Sequence, residues 1–153
     1  MDVRIIQFPE TRVAAIEHRG LPEREHDTAR ELVAWRIAHR LPPERHATYG
    51  IHYTDPTLMP PAEHRVDFCV AFDGEIAPNP QGVVRKTIPG GRCAVLRHYG
   101  SRENVSAAKY LYEEWLPAIG EAARDFPVFF HYVNVGPQVR EEEMMTDVYL
   151  PLH

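Results

Sequence analysis

The sequence predicts an α+β fold in which a strand-helix-strand-strand unit is duplicated about a pseudo-twofold, giving an antiparallel sheet with both helices on one face. Two observations predict it. First, Arg12 to Trp35, RVAAIEHRGLPEREHDTARELVAW, is repeated 80 residues later by Arg92 to Trp115, RCAVLRHYGSRENVSAAKYLYEEW, pairing Arg12 with Arg92, Ala14 with Ala94, His18 with His98, Glu23 with Glu103 and Trp35 with Trp115. The register slips to 79 where His52-Tyr53 matches His131-Tyr132, then recovers so that Asp67 pairs with Asp147. Two copies are too few for a solenoid, so each must leave an apolar face for the other to cover, and a pocket is expected at the seam. Second, both copies run through the same order of two-residue and helical periods. At 153 residues the chain suits one domain, residues 1–153, with repeats over about 3–73 and 83–153.

Val3 to Phe8 is an apolar run stopped by Pro9, and Arg12 to His18 alternates, which suits strands or one long strand bent at the proline. After Gly20, Pro22 and two glutamates open a helix over about 26–40, where Ala29, Leu32, Val33, Arg36 and Ile37 give a mostly apolar stripe beside Trp35; Pro42-Pro43 closes it. Thr48 to Thr54 carries Tyr49, Ile51 and Tyr53 on one strand face and Gly50 and His52 on the other. A proline-rich connector leads to Val66–Phe72, a buried strand apart from Asp67. The second copy offers strands at 83–84 and 92–98, a helix capped by Ser101 and ended by Pro117, and strands over 127–134 and 144–152. Ala107, Ala108, Leu111, Tyr112 and Trp115 share one side of that helix, with Tyr110 off it and exposed.

Composition narrows the function. A net charge of -5 and no Lys/Arg run longer than two argue against direct nucleic-acid binding, which needs a basic face. The two cysteines, Cys69 and Cys93, sit in apolar runs and read as buried thiols of a reducing, cytoplasmic protein. No stretch reaches the roughly 20 apolar residues of a membrane span, so no membrane partner is expected. The nine histidines lack zinc-site spacing, Pro89-Gly90-Gly91 precedes a strand rather than forming a phosphate loop, and no cofactor is expected.

Four segments carry a resemblance: TYGIHYTDP (48–56), IPGGRCAV (88–95), YEEWLP (112–117) and MTDVYLPL (145–152). With the repeat, they make the chain similar, over nearly its whole length, to the GyrI-like (DNA gyrase inhibitory protein-like) small-molecule-binding domain, also the effector-binding domain of AraC-type and MerR-type regulators. The resemblance implies a pseudo-twofold fold with a cleft between its halves for bulky, often aromatic or cationic, molecules. The family pattern Pro-x-Phe-Glu-x-Tyr-x-Asn implies a ligand-facing glutamate; here Pro127-Val128-Phe129-Phe130-His131-Tyr132-Val133-Asn134 puts Phe130 in its place. A buried acid rewards a cation that neutralises it. Phe130 removes that reward, so a flatter, less cationic ligand is expected, unless a carboxylate comes from elsewhere or cation-π contact suffices.

The candidate ligand-binding residues are Trp35, Tyr53, Trp115, Phe130, Tyr132 and Asp147. Trp35 and Trp115 either flank a ligand or fill the core under the sheet. Tyr53 and Tyr132 are repeat partners, Phe130 shares a strand face with Tyr132, and His131 points the other way. Asp67 and Asp147 interrupt core strands, and their pairing across the repeat favours a structural role, with Arg12 and Arg92 as available partners. His18 and His98 also read as structural.

The leading expectation is a stand-alone, non-enzymatic module that binds or sequesters a hydrophobic or aromatic small molecule. Two alternatives come from the resemblance: a hydrolase opening cyclopropane-bearing genotoxins, for which Asp147 is the candidate acid, and an inhibitory partner of DNA gyrase, which composition does not specify.

Overall fold

A computed structural model describes residues 2–55, 58–102 and 105–153. Pro56 of the 48–56 segment and Glu103 of the Glu23–Glu103 pair lie outside the described residues. The elements are β1 (Arg4–Phe8), β2 (Thr11–Arg19), α1 (Glu25–Ala38), β3 (Thr48–His52), β4 (Arg65–Ala71), β5 (Val84–Ile88), β6 (Gly91–Tyr99), α2 (Ala107–Tyr110), a π-helical turn (Leu111–Trp115), α3 (Leu116–Ile119), β7 (Phe129–Tyr132) and β8 (Met145–Pro151). The eight strands form one antiparallel sheet in the order β1-β6-β8-β7-β3-β4-β2-β5. Exchanging each strand for its repeat partner reverses that order, so the pseudo-twofold passes between β3 and β7.

The N-terminal strand departs from the expected bent strand. β1 pairs with β6 of the second repeat, while β2 pairs with β4 and β5 at the opposite end of the sheet. Three Cα steps from Phe8 to Thr11 reach at most about 11 Å, whereas six strand spacings in a flat sheet cover roughly 29 Å. The sheet therefore curls until its ends approach, as a half-barrel. Where the β1–β2 and β5–β6 corners cross, a Cβ on Gly90 would sit 2.8 Å from the Glu10 amide nitrogen. Only glycine admits that approach.

The register slip is also corrected. Gly50 pairs with Phe68 and Phe130 with Val148; His52 pairs with Val66 and Tyr132 with Thr146. Both strands thus keep the offset of 80, and the His-Tyr match at 79 is coincidental. A true one-residue slip would have turned every side chain of the strand to the other face. Tyr132 is the structural partner of His52, not of Tyr53, and Gly50 and Phe130 face each other directly on the axis.

Strand alternation separates the faces. Inside the curl, Phe8, Ile51, Cys69, Cys93, Phe129 and Tyr149 form a buried cluster in which both cysteines are free thiols. On the outer face α1 covers Ala14, Ile16 and Val70, and α2 covers Ala94, Leu96, Val148 and Leu150. Helix contacts fall on β2 and β4 for α1, and on β6 and β8 for α2. The two central strands lie between the helix-covered halves. No helix among the described residues is long and apolar enough to cross a membrane.

Each helix differs from its sequence pattern. α1 buries Leu32, Trp35 and Arg36, leaving Val33 at 51% and Ile37 at 74% exposure. Trp35, the largest apolar side chain, sets the phase. Arg36 follows it inward because its guanidinium donates to Leu41 O, His46 O and Thr48 Oγ1, satisfying a buried cation. Pro117 does not end the second helix. It lies inside α3, just after the π-turn, and the helix stops at Gly120, whose φ of 74° suits the left-handed cap. A proline lacks the N–H and crowds the preceding turn, and a π-turn there relieves that conflict. Tyr110 packs against the sheet-side cluster instead of being exposed, because it lies three residues after buried Ala107 and one before buried Leu111, on the same helical face.

Candidate functional site

A cleft of about 650 Å³ opens beside the central strands, a size typical of small-molecule sites. Its floor is Phe130 and Val128 from the second repeat and His52 from the first. One wall is Val105, Ala108, Tyr112 and Glu113, the last two on the π-turn; the others are Tyr53, Thr54, Asp55 and Leu58, and the segment Arg124–Pro127. Both repeats contribute, but the cleft lies over the second, off the axis. Gly50 explains this asymmetry: a Cβ there would stand 2.5 Å from Tyr132 Oη, so Tyr132 leans across the axis toward the first repeat. π-turns inside helices recur at functional sites, and α1, over the first repeat, has none.

The floor is an aromatic stack. The His52 and Phe130 rings lie 4.0 Å apart at 34°, Phe130 meets Tyr132 edge-on at 6.2 Å, and Tyr132 Oη approaches His52 Nε2 at 3.4 Å. Arg102 sits 5.2 Å over the Tyr132 ring, fixed by bonds to Thr146 Oγ1, Asn134 O and Met145 O. Burial pushes the Tyr132 phenol well up and pulls the Arg102 guanidinium down. Burial, helped by His64, lowers His52 from 6.5 to about 4, so its imidazole is neutral at physiological pH.

That depression carries a sign. The folded state prefers neutral His52, so its contribution is complete above 6.5 and is lost as pH falls through about 4. That preference for the neutral form corresponds to roughly 3 kcal/mol. His131, also lowered mainly by burial, acts in the same direction. Chemical denaturation at pH 7 and pH 4.5 should show His52→Phe losing less stability on acidification than the parent; an identical loss would place the acid sensitivity elsewhere.

The sequence-derived candidates separate into three groups. Phe130 and Tyr53 line the cleft, and Tyr132 lies immediately behind its floor. Trp35 does not come near it: it is 1% exposed, stacked on His39 at 4.1 Å and edge-on to Phe72 at 5.7 Å. Trp115 is half-buried against the α2-side cluster, outside the lining. Asp147 is on the opposite sheet face, where Arg97 Nε and Nη2 donate to its two oxygens at 2.7 and 3.0 Å. Its repeat partner Asp67 accepts from Tyr53 Oη, Lys86 Nζ and Arg19 Nη1. Neither aspartate uses the arginines first considered: Arg12 pairs with Asp73 and Arg92 with Glu121. His18 and His98 anchor equivalent turns, through Nε2 to Leu21 O and Ser101 O.

His52 and Phe126 are cleft residues that the sequence did not single out, and Ala108 was read only as part of the helix's apolar side. For His52 the signal existed, since the constant offset of 80 makes it the counterpart of Tyr132. The coincidental match at 79 concealed it.

The acids on the lining, Asp55, Glu113 and Asp125, are exposed at the rim beside Lys109 and Arg124. Among the described residues the cleft floor presents no carboxylate, and no cluster of three or more His, Cys, Asp or Glu is placed to hold a metal. Desolvating an unpaired cation on that floor costs several kcal/mol, while cation-π contact returns about 0.5–2 kcal/mol.

Comparison with known proteins agrees with this architecture. The chain is 37% identical over 154 residues to a probable transcriptional regulator, YgiV, of Escherichia coli K12, covering 99% of this chain and 96% of that protein. Its fold matches the EcmrR C-terminal domain with a TM-score of 0.76 at 14% identity, covering 99% and 97% of the two chains. In the EcmrR–DNA complex, this chain corresponds to 57% of EcmrR, with a TM-score of 0.77. SAV2435 bound to tetraphenylphosphonium has the same fold, with a TM-score of 0.63 at 10% identity, covering 100% of this chain and 94% of that one. The model of the GyrI-like small molecule binding domain matches residues 1–153. A doubled strand-helix-strand-strand unit with a cleft beside its central strands is thus joined by sequence likeness from end to end, and the chain belongs to the GyrI-like family.

Proposed function

We propose that the chain binds a bulky hydrophobic or aromatic small molecule in the cleft beside its central strands, over the second repeat, as a sensing or sequestering module. The observation that carries this is the 650 Å³ cleft floored by the His52–Phe130 stack and walled by the π-turn. SAV2435, with the same fold, is bound to tetraphenylphosphonium, and the YgiV relative is a probable transcriptional regulator; both support the reading. Phe130 and Tyr132 are then the ligand's aromatic surroundings and Tyr53 borders the cleft with its hydroxyl turned to Asp67, whereas Trp35 and Asp147 act through the core and the far face.

Thermal denaturation against a library of aromatic drugs and dyes tests it. A binder at one hundred times its dissociation constant adds about 2.7 kcal/mol of stability. Ala108 is half-buried on the cleft wall, so Ala108→Trp should fill the space and erase the shift without unfolding the protein. A library that shifts nothing, or shifts that survive Ala108→Trp, would sink the reading.

The hydrolase alternative requires a carboxylate holding water against the bound ring. Asp147 lies across the sheet, tied to Arg97, and the acids on the lining are solvated at the rim. Binding without turnover fits that arrangement better.

A further inference from the structure

We infer that the cleft floor is charge-selective, preferring a flat, uncharged aromatic ring over the same ring bearing a permanent positive charge. This rests on the ligand-binding reading and names the class of molecule that the floor discriminates. The juxtaposition is Phe130 on the pseudo-twofold, His52 stacked on it at 4.0 Å, Tyr132 behind at 6.2 Å, and Arg102 beyond at 5.2 Å from the Tyr132 ring.

Three features act in the same direction. The floor offers ring faces and a neutral imidazole, so a cation entering loses water without gaining an anion. The cation-π capacity of Tyr132 is already taken on one face by Arg102, held by Thr146, Asn134 and Met145 and therefore not free to withdraw. Arg102 also places a fixed positive charge one ring behind the floor, which repels a second cation. The opposing groups are Asp55, Glu113 and Asp125, but these stand exposed at the rim, where water and salt screen them. Lys109 and Arg124 on the same lining offset two of the three charges.

Acridine and 10-methylacridinium form the matched pair for the test, since they share a fused-ring framework and differ in one methyl group and one charge. Fluorescence titration of the full chain at pH 8, where acridine is uncharged, should give at least a roughly tenfold tighter dissociation constant for acridine. Phe130→Glu, which places an acid on the floor, should reverse the order. Arg102→Gln should narrow the preference, bringing the two dissociation constants closer together. The parent protein's ratio decides the matter even if neither variant folds. Equal or tighter binding of 10-methylacridinium would overturn charge selectivity and leave ligand binding standing. Binding of neither ring, together with a silent aromatic library, would remove both.

Discussion

Trp35→Ala is expected to destabilise the protein by about 3–5 kcal/mol, the range for deleting a large buried aromatic, and to leave the affinity of a cleft ligand unchanged when measured in the folded fraction. The indole is 1% exposed among Leu32, Leu41, Val70 and Phe72, and its stacking on His39 fixes the last turn of α1. Its removal opens a cavity that β2 and β4 cannot close, because both are pinned in the middle of a continuous ladder. Trp115, at the matching position of the second repeat, is only half-buried, and Trp115→Ala should cost clearly less. Urea midpoints for the two variants and for Trp35→Phe measure the difference. Equal losses at both tryptophans would show that the repeats use them alike; a large fall in ligand affinity in Trp35→Phe would return Trp35 to the site.

This inequality between paired residues also explains how far the sequence could be read. The strands, both helices and the doubled plan were legible because alternation and helical spacing report local burial, and each pattern occurs twice. The curl was not legible. It depends on β1 pairing with β6, a contact separated by most of the chain, and the pattern of Arg4–Phe8 is the same whichever edge it joins. Phe130 was found because it stands where the family carries a glutamate. His52 was not, because the twin His-Tyr pairs suggested a register that the ladders do not have. The π-turn was hidden behind Pro117, whose usual meaning is a helix end. Here the altered hydrogen-bond register admits the proline, and the same turn carries Tyr112 and Glu113 of the cleft wall. Duplication therefore gave two possible clefts, and Gly50 opposite Phe130 decides which remains open: Tyr132 fills the space above glycine and leaves the second repeat's side free.

The paired aspartates break the symmetry in a second way, and Asp67→Ala is expected to cost about 3–5 kcal/mol, as for removal of one member of a buried ion pair. Asp67 is fully buried and accepts from Tyr53 Oη at 2.7 Å, Lys86 Nζ at 2.6 Å and Arg19 Nη1 at 3.1 Å. Deleting the acid leaves three donors: Lys86 keeps Glu17, Arg19 keeps Glu17 and the His18 carbonyl, and Tyr53 Oη keeps no acceptor among the described residues. Asparagine would fare little better, because its amide N–H₂ would face another donor. Asp147 has Arg97 as its partner, 37% exposed, which water can reach, so Asp147→Ala should cost less. Burial, then the bond to Asp67, pushes the Tyr53 phenol from 10.0 to about 12. A raised folded value favours the protonated form, so this contribution is complete below pH 10 and is lost as pH rises toward 12. Tyr149 is raised to about 12 as well, chiefly by burial, and reinforces the alkaline loss. Denaturation midpoints at pH 7 and pH 11 should show Asp67→Ala less stable at both but less sensitive to the change, since the phenol would lose one cause of its shift. A double-mutant cycle with Lys86→Met isolates the ion pair; coupling below about 0.5 kcal/mol would make Asp67 an ordinary buried residue and deny it the anchoring role. Tyr53 follows β3 directly and lines the cleft, so loosening it should also weaken ligand binding, linking the polar cluster inside the curl to the aromatic floor outside it.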